Sequence, residues 1–109
     1  MLRQIRKLRG IKMNNYRIEI IANQSVEDDI TEVLEEQIPD FEYTLLPTVH
    51  GRGLRSKKLG SNTWPEQNFL MFAYVSREVA LKVKEIIGAV IQRFPKEGIS
   101  FFCVQEAEL

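Results

Sequence analysis

The chain has 109 residues, the usual size of one domain, which excludes a multidomain enzyme. Apolar residues make up 44% and charged residues 28%, with 15 basic side chains against 15 acidic ones, a globular composition that is neither disordered nor fibrous. No apolar run reaches the ~18 residues of a membrane span and the opening residues lack the apolar segment of a signal peptide, so a cytoplasmic protein without membrane partners is expected.

Charge is uneven along the chain. Residues 1–12 hold Arg3, Arg6, Lys7, Arg9 and Lys12 and no acid, a net +5, which leaves residues 13–109 at a net −5. Such an arm can bind nucleic acid or anionic lipid. Met13 offers a second start, however, and the strand pattern begins only at Tyr16. Residues 1–12 are therefore read as a disordered leader, or as lying upstream of the true start, and residues 13–109 as a single domain.

In YRIEIIA, residues 16–22, Tyr16, Ile18 and Ile20 alternate with Arg17, Glu19 and Ile21, which predicts a first strand. Ser25 is placed to cap a helix whose first turn carries Glu27, Asp28 and Asp29 and whose apolar stripe is Val26, Ile30, Val33, Leu34 and Ile38. That helix ends near Gln37, before Pro39. Residues 41–49 read as a second strand, with Pro47 marking an edge or a bulge. Residues 69–75, FLMFAYV, form a third. Ser76 caps a second helix with Val79, Ala80, Val83, Ile86, Ile87, Val90, Ile91 and Phe94 at helical spacing, stopped by Pro95. Gly98 then leads into a fourth strand, residues 99–104.

The order βαββαβ predicts an α+β, ferredoxin-like domain: a four-stranded antiparallel sheet with both helices on one face. The third strand is apolar on both sides, Phe69, Met71, Ala73 and Val75 against Leu70, Phe72 and Tyr74, and so is the fourth. Doubly apolar strands are buried on both faces, yet no residues remain to cover the second face, so self-association through it is expected. Cys103, the one cysteine, cannot form an internal disulfide and reads as a buried small hydrophobe of the fourth strand.

Residues 50–68, HGRGLRSKKLGSNTWPEQN, are far longer than a hairpin connection. Gly51, Gly53 and Gly60 leave backbone N–H groups accessible, and Arg52, Arg55, Lys57 and Lys58 add positive charge with no acid before Glu66, a combination suited to a small anion such as a phosphate. Trp64 is either a stacking surface for a base or a hydrophobic plug at a subunit junction. His50, the one histidine, lacks a second histidine or a nearby cysteine, so no metal site is assigned within the chain. No nucleophile stands beside a base and no acid pair shares a pocket, so catalytic residues are not expected.

These residues resemble a family. The element order, the V-x-G-x-G opening of the long loop (Val49, Gly51, Gly53) and the later G-x-x-x-WPE-x-N segment (Gly60, Trp64, Pro65, Glu66, Asn68) look like the PII-like proteins, relatives of nitrogen regulatory protein P-II, over about residues 14–106. The resemblance implies a homotrimer with sheets inward, and makes residues 50–68 the T-loop, whose Arg55, Lys57, Lys58, Gly60 and Trp64 would contact a regulated partner protein. It also implies a cleft between subunits that takes a small anionic ligand, ATP, ADP or AMP in many relatives, near Gly51, Arg52, Gly53, Lys96 and Gly98. The family's TGxxGDGK-type segment before the last strand is RFPKEGIS here, keeping only Lys96 and Gly98, and the basic residues after that strand are replaced by Gln105, Glu106 and Glu108.

The expected function is thus a non-enzymatic trimeric regulator whose effector shifts the loop between conformations, with no cofactor required. The alternative is a divalent-metal-binding trimer similar to the CutA proteins, with His50, Cys103 or glutamates converging across the threefold axis. RNA binding through the same topology is disfavoured, because the third strand lacks the basic and glycine lead of an RRM and the domain is acidic.

Overall fold

The computed structural model describes residues 15–52 and 67–109. The elements are β1 (Tyr16–Asn23), a 3₁₀ turn (Gln24–Val26), α1 (Glu27–Gln37), β2 (Thr44–His50), β3 (Gln67–Val75), α2 (Arg77–Arg93) and β4 (Ile99–Gln105). All strand pairs are antiparallel and the order across the sheet is β2-β3-β1-β4, the ferredoxin-like arrangement. The leader, residues 1–12, lies outside the described residues.

One face of the sheet makes the core. Ile18, Ile20 and Ala22 of β1 and Phe69, Met71, Ala73 and Val75 of β3 meet Ile30 and Leu34 of α1 and Ala80, Val83, Ile86, Ile87 and Val90 of α2, all buried. Each large side chain fully removed from water contributes about 1.5–3 kcal/mol, which makes this layer the main source of stability. Ile91, expected within the stripe of α2, lies at its margin and is 38% exposed.

Three local readings are corrected. The cap ahead of α1 is Asn23, not Ser25: the chain leaves β1 through a 3₁₀ turn, so the capping position moves two residues upstream and Asn23 Oδ1 accepts from Ser25 N at 2.9 Å. α1 itself starts behind Val26 with no side-chain cap, and Glu27, Asp28 and Asp29 complement its positive end instead. β2 begins at Thr44 rather than at residue 41. Cys103 pairs with Ile18 on the helix-facing side but is exposed, because the cover over this edge strand reaches Ile99 and Phe101 and stops short of it. Ser76 caps α2 as expected, its Oγ accepting from Val79 N at 3.2 Å.

The α1–β2 connection is fastened by Tyr43, whose hydroxyl donates to Glu35 Oε2 at 2.6 Å. That hydrogen bond, followed by desolvation, pushes the phenol from 10.0 up to about 12. A folded-state value above the unfolded one means the contribution is intact below pH 10 and is lost as pH rises towards 12. Tyr43→Phe is therefore expected to flatten the alkaline fall in stability, measured as the denaturant midpoint across that range. Equal slopes in the two proteins would refute the assignment.

Candidate functional site

Register brings four chain segments to one end of the sheet. Asn23 closes β1 opposite Asn68 of β3, Val49 of β2 pairs with the same Asn68, and His50 pairs with Gln67. On the other side Ala22 pairs with Ile99, and Asn23 N donates to Gly98 O at 3.1 Å. This end therefore carries Gly51 and Arg52 at the edge formed by β2, and Lys96 and Gly98 at the edge formed by β4. Arg52 and Lys96 are both exposed. Three strand spacings separate the two edges, about 14 Å, so one chain does not bring the two groups together. Gly53, Arg55, Lys57, Lys58, Gly60 and Trp64 lie outside the described residues.

The exit from β2 is shaped by a register shift. Thr44, Leu45 and Leu46 pair with Phe72, Met71 and Leu70, and pairing then slips between Leu46 and Val49, at Pro47 and Thr48. Proline has no N–H for a ladder, and an edge strand tolerates that loss, which accounts for both the position and the bulge. Gln24, in the turn after β1, reaches across to this bulge and donates to Pro47 O and to Thr48 Oγ1, the latter at 3.0 Å. At Gly51 a Cβ would stand 2.8 Å from Asn68 Nδ2, and Asn68 is buried, so a side chain there would displace a packed amide. Gln24 and Thr48 were not legible as members of this end. The turn that aims Gln24 back at the bulge is a product of the fold, with no sequence spacing to announce it.

The opposite end of the sheet holds a cavity of about 210 Å³ lined by Ile38, Asp40, Phe41, Glu42, Tyr74 and neighbouring residues. Its charged groups are carboxylates, which repel an anion, so it does not compete with the loop end for one. Among the described residues no three His, Cys, Asp or Glu side chains cluster to hold a metal. His50 lies at the loop end, whereas Cys103 is in register with Ile18, five residues from Asn23 along β1 and so about 17 Å away.

The face of the sheet turned from the helices is uncovered among the described residues. Leu46 (45% exposed), Tyr74 (55%), Phe102 (50%) and Val104 (56%) lie on it with Leu70, Phe72 and Ile21. Its centre is polar but internally paired. Arg17 Nε donates to Glu19 Oε2 at 2.6 Å and Arg17 Nη1 to Tyr74 Oη at 2.6 Å, while the guanidinium lies 4.3 Å from the centre of the Phe72 ring. The hydrogen bond to Glu19 raises the guanidinium further above its ordinary range, so it stays charged. No helix among the described residues is long and apolar enough to cross a membrane.

No family model and no curated protein matches the chain. Solved structures do. A PII-like signaling protein from Thermus thermophilus is 24% identical with a TM-score of 0.55, covering 83% of this chain and 84% of that one. CPII, a nitrogen regulatory PII-like protein from Thiomonas intermedia solved with ADP, AMP and bicarbonate, is 14% identical with a TM-score of 0.58 over 86% of this chain and 89% of its own. The apo form of CPII gives 16% identity and a TM-score of 0.57, over 87% and 94%. The chain has the PII-like fold.

Proposed function

We propose that the protein is a PII-like regulator that assembles as a homotrimer through the helix-free sheet face, binds a small anion between copies, and signals occupancy to a partner protein through residues 50–68. The observation that carries this reading is the placement of Gly51 and Arg52 at one edge and Lys96 and Gly98 at the other edge of the same sheet end. A neighbouring copy packed on the open face can set the β2 edge of one chain beside the β4 edge of the next and so complete a cationic cleft. The apolar side chains on that face support such packing. A structural neighbour bound to ADP, AMP and bicarbonate supports an adenine nucleotide, or a smaller oxyanion, as the effector. The effector acts by binding one loop conformation more tightly than another, since equal affinity would shift nothing. The role is regulatory, not enzymatic, and no cofactor is required.

The test is solution mass together with calorimetric titration of ATP, ADP, AMP and bicarbonate. Arg52→Ala and Lys96→Ala are each expected to weaken the best of these ligands at least ~10-fold, or about 1.4 kcal/mol, without changing the mass. Unchanged affinity removes the residue from the site. A trimer that ignores all four ligands but retains stoichiometric divalent metal would replace this reading with the metal-binding one.

A further inference from the structure

We infer that Gln24 is a positioning residue: it holds the β2 bulge, and through it Gly51 and Arg52, in the orientation the anion cleft uses. Its ligand-binding part rests on the reading above. The bulge is the weak point of the edge strand, because pairing with β3 is interrupted between Leu46 and Val49 and resumes only for Val49 with Asn68 and His50 with Gln67 before the chain leaves the sheet. Pro47 and Thr48 themselves have no partner in the β2–β3 register. Gln24 supplies a constraint from outside the hairpin, its amide nitrogen serving Pro47 O and Thr48 Oγ1 together. A carbonyl oxygen only accepts, so it is the amide nitrogen of Gln24 that faces Pro47.

Gln24 can act as an anchor because its own turn is held. Asn23 Oδ1 accepts from Ser25 N at 2.9 Å, and Asn23 N donates to Gly98 O at 3.1 Å. Two consecutive residues therefore tie the bulge ahead of Arg52 to the turn that carries Gly98, passing over the start of β3. Asn68 adds a steric stop, since its amide lies where a Gly51 side chain would be. Bulges re-aim side chains beside functional sites, and here the aim is set by a donor twenty-odd residues upstream.

Gln24→Glu tests this directly: it is isosteric but has no donors at neutral pH, so a role in filling space survives and a role in donation does not. Hydrogen exchange at the amides of Thr48, Val49, His50 and Gly51 is expected to quicken at least ~10-fold, while amides of α2 keep wild-type protection and so report an intact fold. Gln24→Ala should match Gln24→Glu. In calorimetry with ADP as probe, both variants are expected to bind at least ~5-fold more weakly at unchanged solution mass. Unaltered exchange at residues 48–51 overturns the inference whatever ADP does. Faster exchange with wild-type ADP affinity overturns the ligand-positioning part and leaves the proposed function standing. If the wild type binds no ADP, the ligand-positioning part fails for that probe, and exchange alone decides whether Gln24 holds the bulge.

Discussion

A Phe102→Asp protein is expected to migrate at the mass of one chain, folded, while the wild type migrates as a trimer. Phe102 sits on β4 opposite Glu19, on the side of the sheet without helices, and half of it is open to water in the isolated chain. Substitution there removes nothing from the core, and even with the new carboxylate opposite Glu19 the chain is expected to lose only about 1 kcal/mol. In the assembly the same carboxylate would be enclosed among apolar side chains with no partner, at a cost of several kcal/mol per copy. A threefold arrangement incurs that cost three times, so dissociation rather than partial weakening is the expected readout. Sedimentation of both proteins at matched concentration decides it. Wild-type mass for the variant, or a monomeric wild type, would show that this face does not mediate assembly.

Phe69→Ala is expected to destabilise the chain by about 3–5 kcal/mol, the range for a large aromatic removed from a core. Phe69 is 0% exposed, the largest of the fully buried side chains among the described residues, and it stands in register with Ala22, whose small side chain offers nothing to fill the gap. For a domain whose total stability is about 5–15 kcal/mol, the loss would lower Tm by more than about 10 °C. Denaturant titration at fixed protomer concentration measures it, because the proposed assembly would make apparent stability depend on concentration. A loss below about 1 kcal/mol would mean that the layer between sheet and helices is packed differently from the arrangement described. The pair of substitutions separates the two faces of one sheet: one is expected to weaken folding, the other to abolish assembly.

The elements were legible because their signals are local. Alternation in residues 16–22, helical spacing from Val79 to Phe94, and Ser76 ahead of it each rest on residues a few positions apart, and the structure follows them. Pro47 marked an edge or a bulge, and β2 proves to be an edge strand that also carries a register shift at that place. What escaped the sequence depends on the third dimension. Gln24 and Thr48 meet only after β3 has inserted between their strands, and Asn23 replaces Ser25 as a cap only because a 3₁₀ turn intervenes. Cys103 looked like core because its neighbours are apolar, but depth on an edge strand depends on how far the helices extend over it. Of the candidate site, the loop-base glycine and arginine and the turn before β4 were legible as residues. Their placement at opposite edges of one sheet end required the strand order.

The two edges of the sheet also differ in what they permit. β4 ends the sheet with an unbroken strand, a surface onto which another strand could add, whereas β2 is interrupted at Pro47, where no N–H is available, and bends at the bulge. Head-to-tail strand addition needs a continuous acceptor edge on every copy to propagate. The break in β2 therefore works against copies zipping edge to edge into a growing ribbon. The break at Pro47 thus limits strand-on-strand growth through the β2 edge of a sheet that exposes much apolar surface.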